Sequence, residues 1–469
     1  MTLLIRTRRF VNAACLSALL VPGAWAESAN LLEVYRLAVT EDRQLAAARH
    51  DYLARREAVP QAYAGLLPQL SSGVSWEDTQ LRRDEPGLVR RRSAAVFQAN
   101  LKQPLFRVDR WFQLQAAKAD TQQAELELSA KEQALILQVA QAYFETLRAR
   151  DLLAAAQAEE TALRLQQQQA EGRLRSGASN ITDVLDAQAA FDNARANRQL
   201  AQRKVEEAFE GLYRLTHREY SSIDGIAHHL PVHPPQPRDT EAWIKQALQH
   251  NLSLQARQLA VRAAEQARHQ RQAQYTPSLD AVASYRRGDN DHFGYSNPTD
   301  FGRDGYRGNV AQGSLGLELN IPLYSGGMTR SQVREASERL AQSTDLHELQ
   351  RREVLLDTRN LHRAVNSAVE QVGARRQSIR SSQAALQASQ VGRELGSRNT
   401  VDVLNAQRQL YSVVREYNHA RYDYIIDSLK LKQAAGTLSP ADLLSLSSYL
   451  QAGYDPQRDF LPPDLPAGS

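Results

Sequence analysis

The residues whose chemistry stands out lie in two matching stretches, 176–188 and 395–407, each containing a glycine suited to a sharp turn. Asp183 and Asp402 open the helix that we expect after each turn. A carboxylate at that position is stabilised by the positive end of the helix dipole. The two stretches therefore predict helical hairpins with charged tips.

The rest of the sequence has no residues spaced like a catalytic centre, a phosphate-binding loop or a metal site, so we expect neither an enzyme nor a cofactor. His228, His229 and His233 could bind a metal, but they lie in a proline-rich linker whose nearest carboxylate is Asp224. We interpret these histidines as part of a solvated linker.

Composition narrows the class of protein. The chain has 469 residues and a mean hydropathy of −0.52, and after the N-terminus no stretch approaches the roughly 20 apolar residues of a membrane helix. The formal net charge is +4, from 57 basic and 53 acidic residues that are spread along the chain, which does not indicate a nucleic-acid-binding protein.

The N-terminus is typical of a secretory signal peptide, which we place at residues 1–26. A cluster of arginines is followed by an apolar region, 10–21, and by Ala24-Trp25-Ala26, which suits cleavage. The only cysteine, Cys15, lies inside this segment, so the mature chain has no thiol or disulfide. The alternative is a lipoprotein in which Cys15 is acylated, although the residues before it lack the usual aliphatic side chain.

Two halves of the mature chain, 27–227 and 240–438, repeat each other, and repeats are the first feature to seek in a long sequence. A Pro- and His-rich linker, 228–239, joins them, and a C-terminal segment, 439–469, follows. The matching blocks keep the same order, and they are Leu66-Leu67-Pro68-Gln69-Leu70 with Tyr275-Thr276-Pro277-Ser278-Leu279, Gln103-Pro104-Leu105-Phe106 with Ile321-Pro322-Leu323-Tyr324, and 176–188 with 395–407.

Each half carries two segments of about 10 residues with alternating apolar and polar side chains, the length and pattern of tilted membrane strands. The polar loops 79–92 and 288–308 separate the segments of each pair, and helical segments, 31–59 and 240–274, precede them. We expect one set of side chains to face lipid, namely Phe97, Leu315, Leu317 and Leu319, and the alternate set to face a lumen, namely Gln98, Asn100, Glu318 and Asn320.

Two long segments, 109–175 and 328–394, contain no proline and keep helical spacing of their apolar residues. Each predicts a helix ~100 Å long at 1.5 Å per residue, which suits a wide aqueous space better than a compact domain. Four strands cannot close a membrane barrel, and open edges are not tolerated in lipid, so chains must share one barrel. Three chains give twelve strands, although this arithmetic does not exclude two or four.

These features together resemble the TolC family. The resemblance runs from about residue 30 to 450, and its further motifs are Ile321-Pro322-Leu323-Tyr324-Ser325-Gly326-Gly327-Met328, Asn251-Leu252-Ser253-Leu254-Gln255-Ala256-Arg257 and Gly436-Thr437-Leu438-Ser439-Pro440-Ala441-Asp442. It implies an α+β homotrimer with a twelve-stranded antiparallel barrel in the outer membrane and a coiled-coil helical tunnel in the periplasm.

The resemblance also implies a function and partners. The chain is expected to be a passive exit duct for type I protein secretion or multidrug efflux, with a periplasmic adaptor and an inner-membrane pump of the ABC or proton-driven type. The alternatives are a lipid-anchored duct for efflux alone, a passive porin and a structural periplasmic coiled coil.

The family match assigns three roles at the tips. The first role is a latch that would join Thr182 and Asp183 of the first tip to Arg393 and Arg398 of the second, and the family has Tyr at position 393. The alternative is that both arginines are ordinary cationic residues near a helix end. The pore constriction is assigned to Asp402, Asn405 and Asp186. Adaptor contacts are assigned to Gly177, Ser179, Gly396 and Ser397.

Overall fold

The computed structural model describes residues 29–82, 89–177, 180–227, 229–289 and 309–456. The predicted signal peptide, Ser179, His228 and most of the predicted loop 288–308 lie outside these residues.

The two halves of the chain have the same order of elements. The first half contains α1 Leu31–Glu41, α2 Arg43–Arg56, α3 Ala58–Ala64, β1 Gln69–Arg82, β2 Val89–Phe106, α4 Val108–Arg175, α5 Ile181–Thr216 and β3 Gly225–Ile226. The second contains α6 Thr240–His250, α7 Leu252–Gln272, a 3₁₀ turn Ala273–Tyr275, β4 Ser278–Asp289, β5 Asn309–Asn320, α8 Met328–Glu394 and α9 Thr400–Ala434. The C-terminal segment adds α10 Pro440–Ser447 and β6 Leu450–Gln451.

The predicted helical segments 31–59 and 240–274 are helical, and each is interrupted by a break that the sequence analysis does not predict. Asp42 and Asn251 both have extended backbone, with ψ of 116° and 118°. The Asp42 carboxylate accepts a hydrogen bond from the amide of Leu45 (2.6 Å), and Asn251 makes the equivalent bond at 3.0 Å. Because Asp and Asn are strong N-caps, each ends one helix and begins the next.

The larger sheet is antiparallel with the strand order β1-β2-β4-β5. Pairing between β1 and β2 continues from Gln69 with Lys102 to Arg82 with Val89, so the strands occupy most of the segment 79–92 that the sequence predicts as a loop. The predicted bounds of that loop are wrong, because backbone pairing includes 79–82 and 89–92, and its middle, 83–88, lies outside the described residues. A second, two-stranded sheet pairs β3 with β6.

The larger sheet has two chemically distinct faces. The register places alternate residues together, so an apolar face carries Leu70, Val74, Trp76, Phe97, Leu101, Tyr285, Leu315, Leu317 and Leu319. The opposite, polar face holds Lys102 at 2.8 Å from Asp280 and 3.2 Å from Glu318, and Ser284 at 2.7 Å from Ser314. Phe97 and the β5 leucines lie on one face of the sheet, and Gln98 and Asn100 lie on the other. The predicted division into an apolar and a polar face is therefore confirmed.

The long helices α4 and α8 contain 68 and 67 residues, as the absence of proline predicts. Each packs along its own partner, α5 or α9, and the two hairpins lie side by side through α4 and α9. Arg148 on α4 is 2.6 Å from Asp423 on α9, and Arg408 is 3.4 Å from Glu159. In the described residues, no helix is long and apolar enough to cross a bilayer.

The main hydrophobic core lies at the middle of the helices. Tyr143, Phe144 and Leu147 of α4 are fully buried there, and Phe144 stacks on Tyr422 of α9 at 5.7 Å. The Tyr143 hydroxyl donates to the backbone carbonyl of Asp224 at 2.7 Å and lies 3.1 Å from that of Ala29. This core therefore joins the start of the described chain, the central linker region and both hairpins.

A buried carboxylate anchors the C-terminal segment to this core. Asp151 accepts hydrogen bonds from the hydroxyls of Tyr422 (2.9 Å) and Tyr454 (3.4 Å). Tyr454 also covers Gly225 so closely that a Cβ there would lie 2.1 Å from its ring. Burial raises the pKa of Asp151 to about 6. Hydrogen bonds from Tyr422, Tyr454 and Asn418 and the charge of Arg150 lower this pKa, but their effect is smaller than that of burial.

We expect Asp151→Asn to stabilise the protein at neutral pH. The folded-state pKa of Asp151 lies above the ordinary value near 3.9, so ionisation in the folded state costs up to about 3 kcal/mol above pH 6. This cost disappears as the pH falls to about 4. The stability advantage of the variant, measured as the difference in thermal midpoints, should therefore be largest at pH 7.5 and vanish near pH 4.

The comparison must be made between the two proteins, because His419 acts in the opposite direction. Burial and the charge of Arg148 lower the pKa of His419 to about 4, so its contribution to stability is lost as the pH falls through the range from 6.5 to 4. A difference between variant and wild type that does not change with pH would contradict the assignment to Asp151.

Candidate functional site at the hairpin tips

Both hairpins turn through a glycine with left-handed backbone. Gly177 in the first tip has φ of 74°, and Gly396 in the second has φ of 75°. A side chain in this conformation costs roughly 1–2 kcal/mol, which explains why both repeats have glycine here. Asn180 and Asn399 then return the chain to extended backbone, and the second helix of each hairpin follows.

The first tip is held by a small apolar cluster between α4 and α5. Its members are Ala170, Leu174, Val184 and Ala187. Thr182, Asp183 and Asp186 lie in the first turns of α5 and are exposed in the protomer. Of the four residues predicted to contact an adaptor, Gly177, Gly396 and Ser397 lie in these exposed turns.

The second tip has a capping box. The Asp402 carboxylate accepts from the amide of Asn399 at 3.0 Å, and the Asn399 side chain accepts from the amide of Asp402 at 2.8 Å. Asp402 therefore stabilises the start of α9, as predicted for a carboxylate at that position. Asn405 lies one helical turn further on and is exposed.

Gly392 in the last turn of α8 shapes the second tip, and the sequence analysis did not assign it a role. Its carbonyl accepts from the amides of Ser397 (2.8 Å) and Arg398 (3.0 Å) and from the Ser397 hydroxyl (3.1 Å). A Cβ on Gly392 would lie 2.7 Å from Cγ of Arg398. Its glycine identity thus lets Arg398 fold back over the end of α8.

The residues predicted to form a latch lie at the two tips of the protomer. Thr182 and Asp183 lie in the first turn of α5, and Arg393 and Arg398 lie at the turn between α8 and α9. All four are exposed in the protomer.

Two of the linker histidines, His229 and His233, are engaged in local packing, and His228 lies outside the described residues. The ring of His229 lies 5.8 Å from the ring of Tyr449, and the backbone of His233 hydrogen-bonds to the Tyr424 hydroxyl through both its N–H (3.2 Å) and its C=O (3.0 Å). These contacts join the linker to the helices beside it.

Comparison with known proteins gives a consistent result over most of the chain. The model of one family, the outer membrane efflux proteins, matches residues 34–217 and 243–437. The outer membrane protein TolC of Vibrio cholerae is 34% identical over 445 residues, which cover 94% of this chain and 98% of the relative.

A second relative and a solved structure extend the comparison. The alkaline protease secretion protein AprF of Pseudomonas aeruginosa is 28% identical over 448 residues, or 93% of this chain and 91% of AprF. The crystal structure of the Campylobacter jejuni CmeC outer membrane channel superposes with a TM-score of 0.72 at 14% identity and covers 90% of each chain. At that identity, the likeness shows the fold alone.

We expect Gly392→Ala to loosen the second tip, because the added methyl overlaps the Arg398 side chain. The amides of Ser397 and Arg398, which donate to the Gly392 carbonyl, should exchange with solvent on the order of ten-fold faster. Hydrogen exchange followed by mass spectrometry measures this change.

Gly172→Ala in the last turn of α4 is the matched control. A Cβ there meets no atom within 4 Å, and alanine is the better helix former by about 1 kcal/mol. The amide of Ser176, which donates to the Gly172 carbonyl at 3.2 Å, should exchange no faster than in the wild type. Equal acceleration at both tips would contradict the role of Gly392.

Proposed function

Because the chain belongs to the outer membrane efflux protein family, we propose that it is an outer-membrane exit duct for type I protein secretion or multidrug efflux. The observation that carries this proposal is the continuity, in one chain, of a sheet with an apolar face and two helices ~100 Å long. Such a sheet suits a bilayer and such helices suit the periplasm. The likeness to AprF, an alkaline protease secretion protein, supports the first cargo class.

The duct is a homotrimer with one shared barrel. Strands β1 and β5 are the edges of a sheet of four strands in the described residues, and exposed edges are not tolerated in lipid. Three chains provide twelve strands, an even number within the known range of membrane barrels.

The apolar face contacts lipid and the polar face lines the lumen. Strands β4 and β5 each contain 12 residues. A tilted membrane strand needs about 9–11 residues to cross a bilayer. Both strands are therefore long enough to cross one.

The helical tips provide the periplasmic entrance. A periplasmic adaptor contacts the turns at Gly177, Ser179, Gly396 and Ser397, and an inner-membrane ABC or proton-driven pump supplies the cargo and the energy. Ser179 lies outside the described residues, so the exposed backbone of the other three supports this surface.

A latch keeps this entrance closed. Asp183 of the first tip pairs with Arg393, and Thr182 pairs with Arg398 of the second. The exposure of all four residues in the protomer supports this proposal, because their side chains are accessible to another tip. Asp402, Asn405 and Asp186 form the constriction, where carboxylates favour cations.

Removing both arginines should open the duct without dissociating it. Each solvated pair stabilises the closed state by only about 0.2–1 kcal/mol, so three copies remain easy for an adaptor to reverse. We expect the Arg393→Ala/Arg398→Ser variant to conduct severalfold more than wild type in planar bilayers, while native mass spectrometry gives a three-chain particle for both.

Arg198→Ser provides the matched control, because Arg198 pairs with Glu160 at 2.7 Å inside one protomer, ~25 Å along α5 from the first tip. Its conductance should match wild type. If the double variant also matches wild type while remaining trimeric, the latch is refuted and the duct is not. If the wild type forms neither a trimer nor a conducting pore, the duct itself is refuted.

A further inference from the structure

An apolar groove lies where the central linker packs against the C-terminal part of α9. This linker groove has a volume of about 380 Å³, and its wall of aromatic and proline side chains includes Pro231, Pro234, Pro235, Trp243, Tyr424 and Tyr449. Hydrogen bonds fix this wall, since the Trp243 ring N–H donates to the Pro237 carbonyl at 2.8 Å and Tyr424 is bonded to the backbone of His233. The groove is therefore preformed.

One charged pair lies in the lining of the linker groove. Lys432 of α9 is 2.6 Å from Asp442 of α10, and the side chain of Lys432 remains 43% exposed. Asp442 also accepts from the backbone amide of Ser439 at 2.9 Å, where it completes the capping box of α10. Because the Lys432 ammonium has three N–H donors and is partly exposed, it can donate to a ligand carboxylate in addition to Asp442.

The sequence after Pro456 has the composition that such a groove binds. Residues 457–469 include the run Phe460-Leu461-Pro462-Pro463-Asp464-Leu465-Pro466. Proline-rich segments favour the polyproline II conformation, which has a low entropy cost of binding, and grooves lined by aromatic residues recognise them. The run contains one acidic residue, Asp464, whose carboxylate can pair with the partly exposed ammonium of Lys432.

The path of the chain brings this run within reach of the groove. The C-terminal segment passes the groove at Tyr449, whose carbonyl accepts from the amide of Ala227 at 2.8 Å. It then pairs along β3 and is anchored at Asp151 through Tyr454, five residues later. The run begins at Phe460, six residues after Tyr454, and these six residues extend up to ~19 Å at 3.1 Å each. This short tether gives the run a high effective concentration near the groove.

We propose that residues 460–466 bind in the linker groove of the same chain, with Asp464 beside Lys432. The run then acts as an intramolecular proline-rich ligand that covers the junction of the linker, α9 and α10. This interaction is independent of whether the duct conducts, since none of the groove residues belongs to the barrel or to the tips.

Disulfide trapping tests the proposal in the full-length protein, whose mature sequence is expected to contain no cysteine. Ser445 lines the groove on α10, and Leu444 beside it is 56% exposed and does not line the groove. With Leu461→Cys, the Ser445→Cys variant should cross-link within one chain at least tenfold faster than the matched Leu444→Cys variant. Equal rates at the two positions, or cross-links only between chains, would overturn the proposal.

A binding measurement remains informative if a cysteine variant fails to fold. A labelled peptide of residues 457–469 should bind, by fluorescence anisotropy, to a protein ending at Pro456, and at least tenfold more weakly to the full-length chain, whose own run occupies the groove. An Asp464→Lys peptide should bind the shortened protein severalfold more weakly than the native peptide. Absence of binding to the shortened protein, or equal binding to both proteins, would also overturn the proposal.

Discussion

The outer edges of β1 and β5 have backbone N–H and C=O groups with no strand partner inside the protomer, over the residues that the structure describes. In water such edges can be hydrated, but in hydrocarbon each unpaired group costs several kcal/mol. The apolar face of the same sheet is strongly exposed, with Leu315 at 86% and Leu317 at 70%. A sheet of this kind is stable in a bilayer only when copies of the chain close it, and the proposed trimer meets that requirement.

In the helical part, most of the stabilising contacts within the protomer lie in one region. Long helices that cross an aqueous space cannot bury much surface within one protomer, and the described chain concentrates its main core at their midpoint. There Tyr143, Asp151 and Tyr454 hold together segments far apart in sequence. The tips, in contrast, are held by small clusters and a capping box, so they can move at a lower cost than the midpoint.

Much of this fold could be predicted from sequence because its signals are periodic or repeated. The absence of proline in α4 and α8 and the alternation in β5 predicted their type and, closely, their lengths, and the motif resemblance to the TolC family is confirmed by the family match. The breaks at Asp42 and Asn251 were missed, although Asp and Asn preceding helical segments are known N-cap signals. The roles of Gly392 and Asp151 depend on contacts with Arg398 and Tyr454, which no local pattern in the sequence reveals.

The central claim is that one face of the sheet contacts lipid while the other contacts water, and site-directed thiol labelling in reconstituted bilayers tests it most directly. Cysteines replacing Leu315 and Leu317 on the apolar face should be protected from a membrane-impermeant thiol reagent, while cysteines replacing Gln98 and Asn100 on the polar face should react. The account predicts at least a tenfold difference in rate between the two sets. Equal reactivity at all four positions, or protection of the polar face alone, would contradict it.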